Sequence, residues 1–214
     1  MLNKTNAQTI INPKNSLYEI SKILVSEGIK SIFLIGKTNL TGTYLEDFIK
    51  TSKINFTFFE NCDINSDYNT VLEATKLFKA NNCDFILAIG GGNIIDLAKC
   101  IKLAILAGTD ADLSKEITTD KQLPILAIPT EVSNGNESNC YTVLFKNSKR
   151  TVIHNEACLP EYVLFEPEFS KDFLSERSKY SYIGAICRNV AVILNREAQE
   201  EQLEMAKTSL KTLF

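Results

Sequence analysis

Residues 84–99, DFILAIGGGNIIDLAK, run from an apolar strand through three consecutive glycines into a helix carrying one Asp and one Lys. Gly90, Gly91 and Gly92 can take backbone angles closed to other residues, and they carry no Cβ to keep a ligand from the main chain. Asn93 reads as the N-cap of the helix behind them. The unpaired N–H groups and positive dipole end of that helix face whatever lies over the glycines. This is the chemistry of a phosphate cradle. A plain glycine-rich turn would use the same residues, but the strand before and the helix after favour the phosphate.

Working outward, SIFLIG (31–36), INFTFFE (54–60), DFILAIG (84–90) and PILAIPT (124–130) read as strands. Their nearly continuous apolar character is that of strands buried on both faces, as in parallel sheets. Helical patterns fall at about 15–28, 40–51, 68–81 and 93–107. In the third, Val71, Leu72, Thr75 and Phe78 share one face. The repeated order predicts an α/β fold, a doubly wound and mainly parallel sheet with right-handed crossovers. Beyond residue 135, NCYTVLF (139–145), RTVIH (150–154) and EYVLFEP (161–167) are short strand candidates, with a hairpin through Lys146, Asn147, Ser148 and Lys149. From about 170 the chain is helical: Ile183, Ile186, Cys187, Val190, Ile193 and Leu194 form one apolar series and Leu203, Ala206, Leu210 and Leu213 another. The expected division is an α/β domain over 1–169 and a helical piece over 170–214.

Composition narrows the function. A net charge of −3 without a basic run gives no footprint for nucleic acid. No apolar run is long enough to cross a bilayer, and MLNKTNAQ is not a signal peptide. The six cysteines lack CxxC pairing or metal-ligand spacing, which fits buried thiols and a cytoplasmic location. The single histidine, His154, makes a multi-histidine metal site impossible within these residues.

A second motif, PTEVSNGNESN (129–139), leaves the fourth strand at the sheet end where open α/β folds place ligands. Thr130, Ser133, Asn134 and Asn136 can donate to a phosphate, a ribose or an amide, although a polar surface loop has the same composition. Together the two motifs resemble the iron-containing (group III) alcohol dehydrogenases of the dehydroquinate synthase-like fold. The family's GGGSxxDxAK signature stands here as Gly90, Gly91, Gly92, Asn93, then Asp96, Ala98 and Lys99. Its PTxxxTGSE signature stands as Pro129 and Thr130 followed by Asn134, Gly135, Asn136 and Glu137. Asn139 and the hairpin after it look like the butanol dehydrogenase-like branch. CLPEYVLFEPEF (158–169) resembles the stretch closing the nucleotide domain, with Glu166 and Pro167 as its final dipeptide. The likeness spans essentially the whole chain.

The resemblance implies a Rossmann-like nucleotide domain holding NAD(P), the pyrophosphate on the Gly90–Asn93 turn. Thr130 and the loop of Asn134, Gly135, Asn136 and Glu137 would line the adenine or nicotinamide side. Asp96 and Lys99 either orient groups near the cofactor or form a simple i,i+3 pair worth about 0.2–0.5 kcal/mol. After the first strand stand Gly36, Lys37, Thr38 and Asn39, with no acid to bind a ribose 2′-OH or repel a 2′-phosphate. Lys37 therefore favours NADP, unless it is a solvated surface lysine.

The family's divalent metal is held by one Asp and three His, whose first members belong in YSYIGAICRNV (180–190). Here Ala185 or Ile186 stands at the Asp position and Asn189 or Val190 at the His position. No metal is expected. Residues 170–214 look like a remnant of the second domain, and family-type alcohol oxidation is not expected of this chain alone. The expected function is that of a truncated, degenerate, NAD(P)-binding member. The alternative is a non-catalytic nucleotide-binding protein or a subunit completed by a homodimer or a helical partner. A metal-free reaction using Asp96, Lys99, Glu137 or His154 is a third reading.

Overall fold

The computed structural model describes residues 8–11, 14, 16–36, 40–62, 67–108, 112–113, 117, 122–131, 135–167, 169 and 176–214. In chain order the elements are β1 (Thr9–Ile11), α1 (Ser16–Ser26), β2 (Ser31–Ile35), α2 (Tyr44–Thr51), β3 (Asn55–Phe59), α3 (Tyr68–Ala80) and β4 (Phe85–Gly90). There follow α4 (Gly92–Ala107), β5 (Ile125–Pro129), β6 (Tyr141–Lys146), β7 (Lys149–His154), β8 (Tyr162–Leu164), α5 (Glu176–Leu194) and α6 (Glu200–Leu213).

Local chemistry starts several of these elements. The Thr43 hydroxyl accepts from the Glu46 N–H to cap α2, and the Asp67 carboxylate accepts from the Asn69 N–H to cap α3. Asn147 and Ser148 take positive φ (51° and 62°), the two-residue turn whose twist matches a tight antiparallel hairpin. The hairpin expected from sequence is therefore present.

Six strands form one parallel sheet in the order β1-β8-β5-β4-β2-β3. Alternate residues feed opposite faces, as the pleat requires. Ile32, Leu34, Phe85, Leu87 and Ile89 pack with Ile20, Leu24 and Leu45 of α1 and α2. Phe33, Ile35, Ile86 and Ala88 pack with Val71, Phe78, Leu97 and Ile101 of α3 and α4. Helices on both faces make the sheet doubly wound. The hairpin covers the outer side of α4 through Leu144 and Ile153, so α4 is buried from Ile95 to Ala104.

The sheet gains a strand that sequence did not show, Thr9–Ile11, and the 161–167 candidate supplies β8 between it and β5. Three-residue strands carry too little alternation to be read, and pairing decides them. In α3 the buried face is Val71, Ala74, Thr75 and Phe78. Leu72 instead lines an open groove of about 780 Å³ beside Phe58, Glu60 and Glu73.

The chain divides into one unit of Met1–Glu131 with Gly135–Lys171 and another of Val132–Asn134 with Asp172–Phe214. Within the second, α5 and α6 pack together. The Asn189 amide donates to the Ala185 carbonyl (3.0 Å) and to Ser209 Oγ (2.9 Å), and Ala206 is buried. Tyr180, Ile183, Val190 and Leu194 of α5 remain exposed. Among the described residues, no helix is long and apolar enough to cross a membrane.

Candidate functional site

The chain winds from β2 outward to β3, then returns to place β4 on the other side of β2. Winding direction reverses between β2 and β4, and in open α/β sheets such a switch point opens a crevice at the strands' carboxyl ends. Glycine stands at both ends. Gly36 follows β2 with φ +148°, and a Cβ there would run into the Ile89 carbonyl. Gly90 ends β4, where a Cβ would come within 2.5 Å of Ile94 Cγ1. These glycines let the two strand ends and the start of α4 close up into one turn.

Gly91, not Asn93, is the N-cap: its backbone is extended (φ −73°, ψ −176°) and the helix begins at Gly92. The Ile94 and Ile95 N–H groups both donate to the Gly91 carbonyl (3.0 and 3.3 Å). Asn93 sits within the first turn. Glycine's freedom lets the strand pass into the helix earlier than a cap chosen by side-chain preference would place it. The first-turn N–H groups that a helix leaves without intrahelical partners belong to the glycine segment itself.

The second motif comes to the same place. Gly90 pairs in register with Pro129 of β5, and the Thr130 N–H donates to the Gly90 carbonyl (3.2 Å). Gly135 takes the left-handed conformation (φ +73°) and opens a 3-10 turn over Asn136–Ser138. From that turn the Asn136 amide donates to the Gly92 carbonyl (3.1 Å). Thus Gly36, Gly90, Gly91, Gly92, Asn93, Thr130 and Asn136 converge on one turn. Lys37 and Asn134 lie outside the described residues.

Asp96 and Lys99 lie beneath this turn, in the buried part of α4. The Lys99 side chain is fully buried, and its ammonium donates to the Asn139 carbonyl (2.8 Å), Asn139 Oδ1 (3.3 Å) and the Tyr141 carbonyl (2.7 Å). Burial lowers its pKa, opposed by the negative charge of Asp96. Burial likewise raises Asp96 to about 6, opposed by Lys99 and by hydrogen bonds with Thr142 and Asn136. Among the described residues the ion pairs are Lys50–Glu46, Lys102–Glu161 and Lys207–Glu204. The simple i,i+3 ion pair of Asp96 with Lys99 is therefore not formed. Lys99 instead fastens the 139–141 segment to α4, while Asn139 also donates to the Gly135 carbonyl (2.6 Å).

Sequence reading missed the second buried lysine, Lys102, whose ammonium reaches Glu161 Oε1 at 2.5 Å. The other carboxylate oxygen accepts from the Ile125 N–H (2.8 Å), tying α4, β5 and the approach to β8 together. The signal was present: a helix apolar on nearly every side is a buried helix, and its lysines then need partners. Glu131 was missed as well. A Cβ on Gly91 would meet its carboxylate, with Cδ at 2.6 Å. His154 lies exposed on β7, its ring 4.7 Å from that of Tyr141.

The sequence profile of "Iron-containing alcohol dehydrogenase" matches residues 7–167, well over half of the chain. The chain belongs to the iron-containing alcohol dehydrogenase family. It is 29% identical over 185 residues to NADP-dependent alcohol dehydrogenase 3 of Entamoeba histolytica, covering 79% of this chain and 47% of that protein. It is 30% identical over 121 residues to 4-hydroxybutyrate dehydrogenase of Cupriavidus necator, covering 52% and 31%. Solved structures give the same fold. An iron-containing alcohol dehydrogenase from Thermococcus thioreducens superposes with TM-score 0.81 at 18% identity, over 96% of this chain and 57% of that one. Sulfoacetaldehyde reductase from Bifidobacterium kashiwanohense, in complex with NAD+, superposes with TM-score 0.78 at 22% identity, over 96% and 58%. This iron-containing alcohol dehydrogenase relative spans about half the length of the proteins it matches.

At the α5 positions where the family's first metal ligands were expected, this family member carries few ligating atoms. Ala185 and Ile186 bear no side-chain ligand atom, and the Asn189 amide nitrogen donates to the Ala185 carbonyl and to Ser209 Oγ. Among the described residues no three His, Cys, Asp or Glu side chains gather in a way that could hold an ion. At the glycine turn, residues without side chains, a helix N-terminus and a switch-point position supply features that suit a pyrophosphate.

Proposed function

We propose that this chain binds a nicotinamide dinucleotide, its pyrophosphate on the Gly90–Asn93 turn, without itself supplying the metal-assisted part of alcohol oxidation. The observation that carries this is the switch-point turn, with Gly36 and Gly90 at adjoining strand ends and Thr130 and Asn136 bonded to it from both sides. In that reading Gly91 and Gly92 admit the phosphates, the first turn of α4 neutralises part of their charge, and Lys99 holds the 139–141 segment in place. A bound dinucleotide would supply a hydride acceptor or donor. The chain's own residues would orient it and supply no electrophile at the α5 positions. Lys37 supports a preference for NADP through its charge, in line with the NADP dependence named for the Entamoeba histolytica relative.

Titration of the purified chain with NADH and NADPH, read by nicotinamide fluorescence with and without Fe²⁺ or Zn²⁺, tests this. Saturable binding with NADPH preferred and no response to metal is the expected result. Metal-dependent alcohol oxidation by this chain alone would refute it.

The exposed Tyr180, Ile183, Val190 and Leu194 of α5 favour a second reading, in which a partner's helices or a second copy cover this face. Light scattering of the isolated chain separates the two occupants: a stable dimer supports self-association, and a monomer leaves a separate helical partner.

A further inference from the structure

We infer that Glu131 is a built-in occupant of the phosphate cradle, a carboxylate that the ligand's pyrophosphate must displace. The inference rests on the dinucleotide reading above and concerns how that same site is regulated. Register places Glu131 there. The pairing of Gly90 with Pro129, and the hydrogen bond from the Thr130 N–H to the Gly90 carbonyl, bring the exit of β5 against the glycine turn. One residue later the Glu131 side chain lies on the α-carbon of Gly91. A Cβ built on Gly91 would meet Oε1, with Cδ at 2.6 Å and Cγ at 3.1 Å. Gly91 is the N-cap of α4, so the carboxylate stands at the end of the helix where negative charge is favoured.

A phosphate approaching through the gap left by the missing Cβ would need the space that this carboxylate fills. Both are anions, and two like charges at one helix N-terminus repel strongly where water is partly excluded. The neutral neighbour across the turn, Asn136, is bonded to the Gly92 carbonyl and offers no competing charge. The chain thus holds its own anion over the cradle. Apparent affinity is then the intrinsic affinity multiplied by the fraction of molecules in which Glu131 has swung away. A carboxylate seated nine-tenths of the time would weaken binding about tenfold.

The test titrates the full-length chain, Glu131→Gln and Glu131→Ala with NADH, NADPH and inorganic pyrophosphate by calorimetry, with circular dichroism confirming that all three are folded. Both variants are expected to bind pyrophosphate and dinucleotide about tenfold more tightly than the wild type, and binding by the variants alone supports the inference equally. If the wild type binds and neither variant binds more tightly, Glu131 does not compete and the occupant idea is overturned while the dinucleotide reading stands. Tightening with Gln but not with Ala would trace the gain to a new amide donor and overturn it too. No binding by any folded protein would overturn the dinucleotide reading, and the occupant idea with it.

Discussion

Replacing Lys99 with Met removes one buried ammonium while nearly preserving side-chain volume, and the consequences can be worked through the groups it touches. The Asn139 and Tyr141 carbonyls lose donors at 2.8 and 2.7 Å, and Asn139 Oδ1 loses its longer contact. A buried acceptor deprived of its partner costs about 1–3 kcal/mol. Against this stands relief from burying a charge, which the lowered pKa of Lys99 registers. The two carbonyls are only part-buried and water partly replaces the ammonium, so with that partial relief the net loss of stability is about 1 kcal/mol. Urea unfolding followed by circular dichroism at pH 7 measures it, and the slope should not change if the native fold is kept. Freed from α4, the 139–141 segment should also hold Gly135 and Asn136 less firmly and weaken dinucleotide binding. A loss below about 0.5 kcal/mol, within the range of an ordinary surface substitution, would refute the claim that Lys99 fastens this segment.

Other outcomes follow from the same site. Asp96 moves from the ordinary aspartate value of 3.8 to about 6 in the fold, chiefly through burial. The folded state then binds its proton more tightly than the unfolded chain. This adds about 3 kcal/mol of stability that is fully present below about pH 4 and lost as pH rises through 6. Asp96→Asn should flatten that part of the stability–pH curve, as read from thermal midpoints across pH 4–7. Gly36→Ala should cost about 2 kcal/mol or more, because φ is +148° and the new methyl would meet the Ile89 carbonyl; chemical denaturation tests this. Glu161→Gln leaves the buried Lys102 ammonium without its carboxylate. The acid is itself partly exposed, so the expected loss is about 1–2 kcal/mol, read from the same unfolding experiment.

Much of the fold was legible because buried parallel strands leave nearly unbroken apolar runs. SIFLI, FILAI and ILAIP each became a central strand within a residue or so of the expected limits. Thr9–Ile11 was not legible, since a three-residue edge strand is specified by β8, which arrives about 150 residues later. The strand ends put both motifs at the carboxyl edge of the sheet, but the bonds of Thr130 and Asn136 to the glycine turn itself were not foreseen. What the sequence hid is how deeply α4 is covered. Its outer face meets the hairpin rather than water, which buries Asp96, Lys99 and Lys102 together. Asn93 misled for a local reason, because an excellent capping side chain lost to the backbone freedom of the glycines before it. Glu131 could not be placed from sequence, for only the register of β5 against β4 carries it to Gly91.

In the proposed function the Gly90–Asn93 turn holds the pyrophosphate of a dinucleotide. Its most direct test is a fluorescence titration of NADPH and NADH into the wild-type chain and into Gly91→Ala, which adds a methyl to the cradle with the flexible Glu131 side chain as its nearest neighbour. Saturable one-to-one binding by the wild type and a loss of at least tenfold in the variant are expected, with unfolding stability nearly unchanged. Equal binding by the two proteins, or none by the folded wild type, would contradict it.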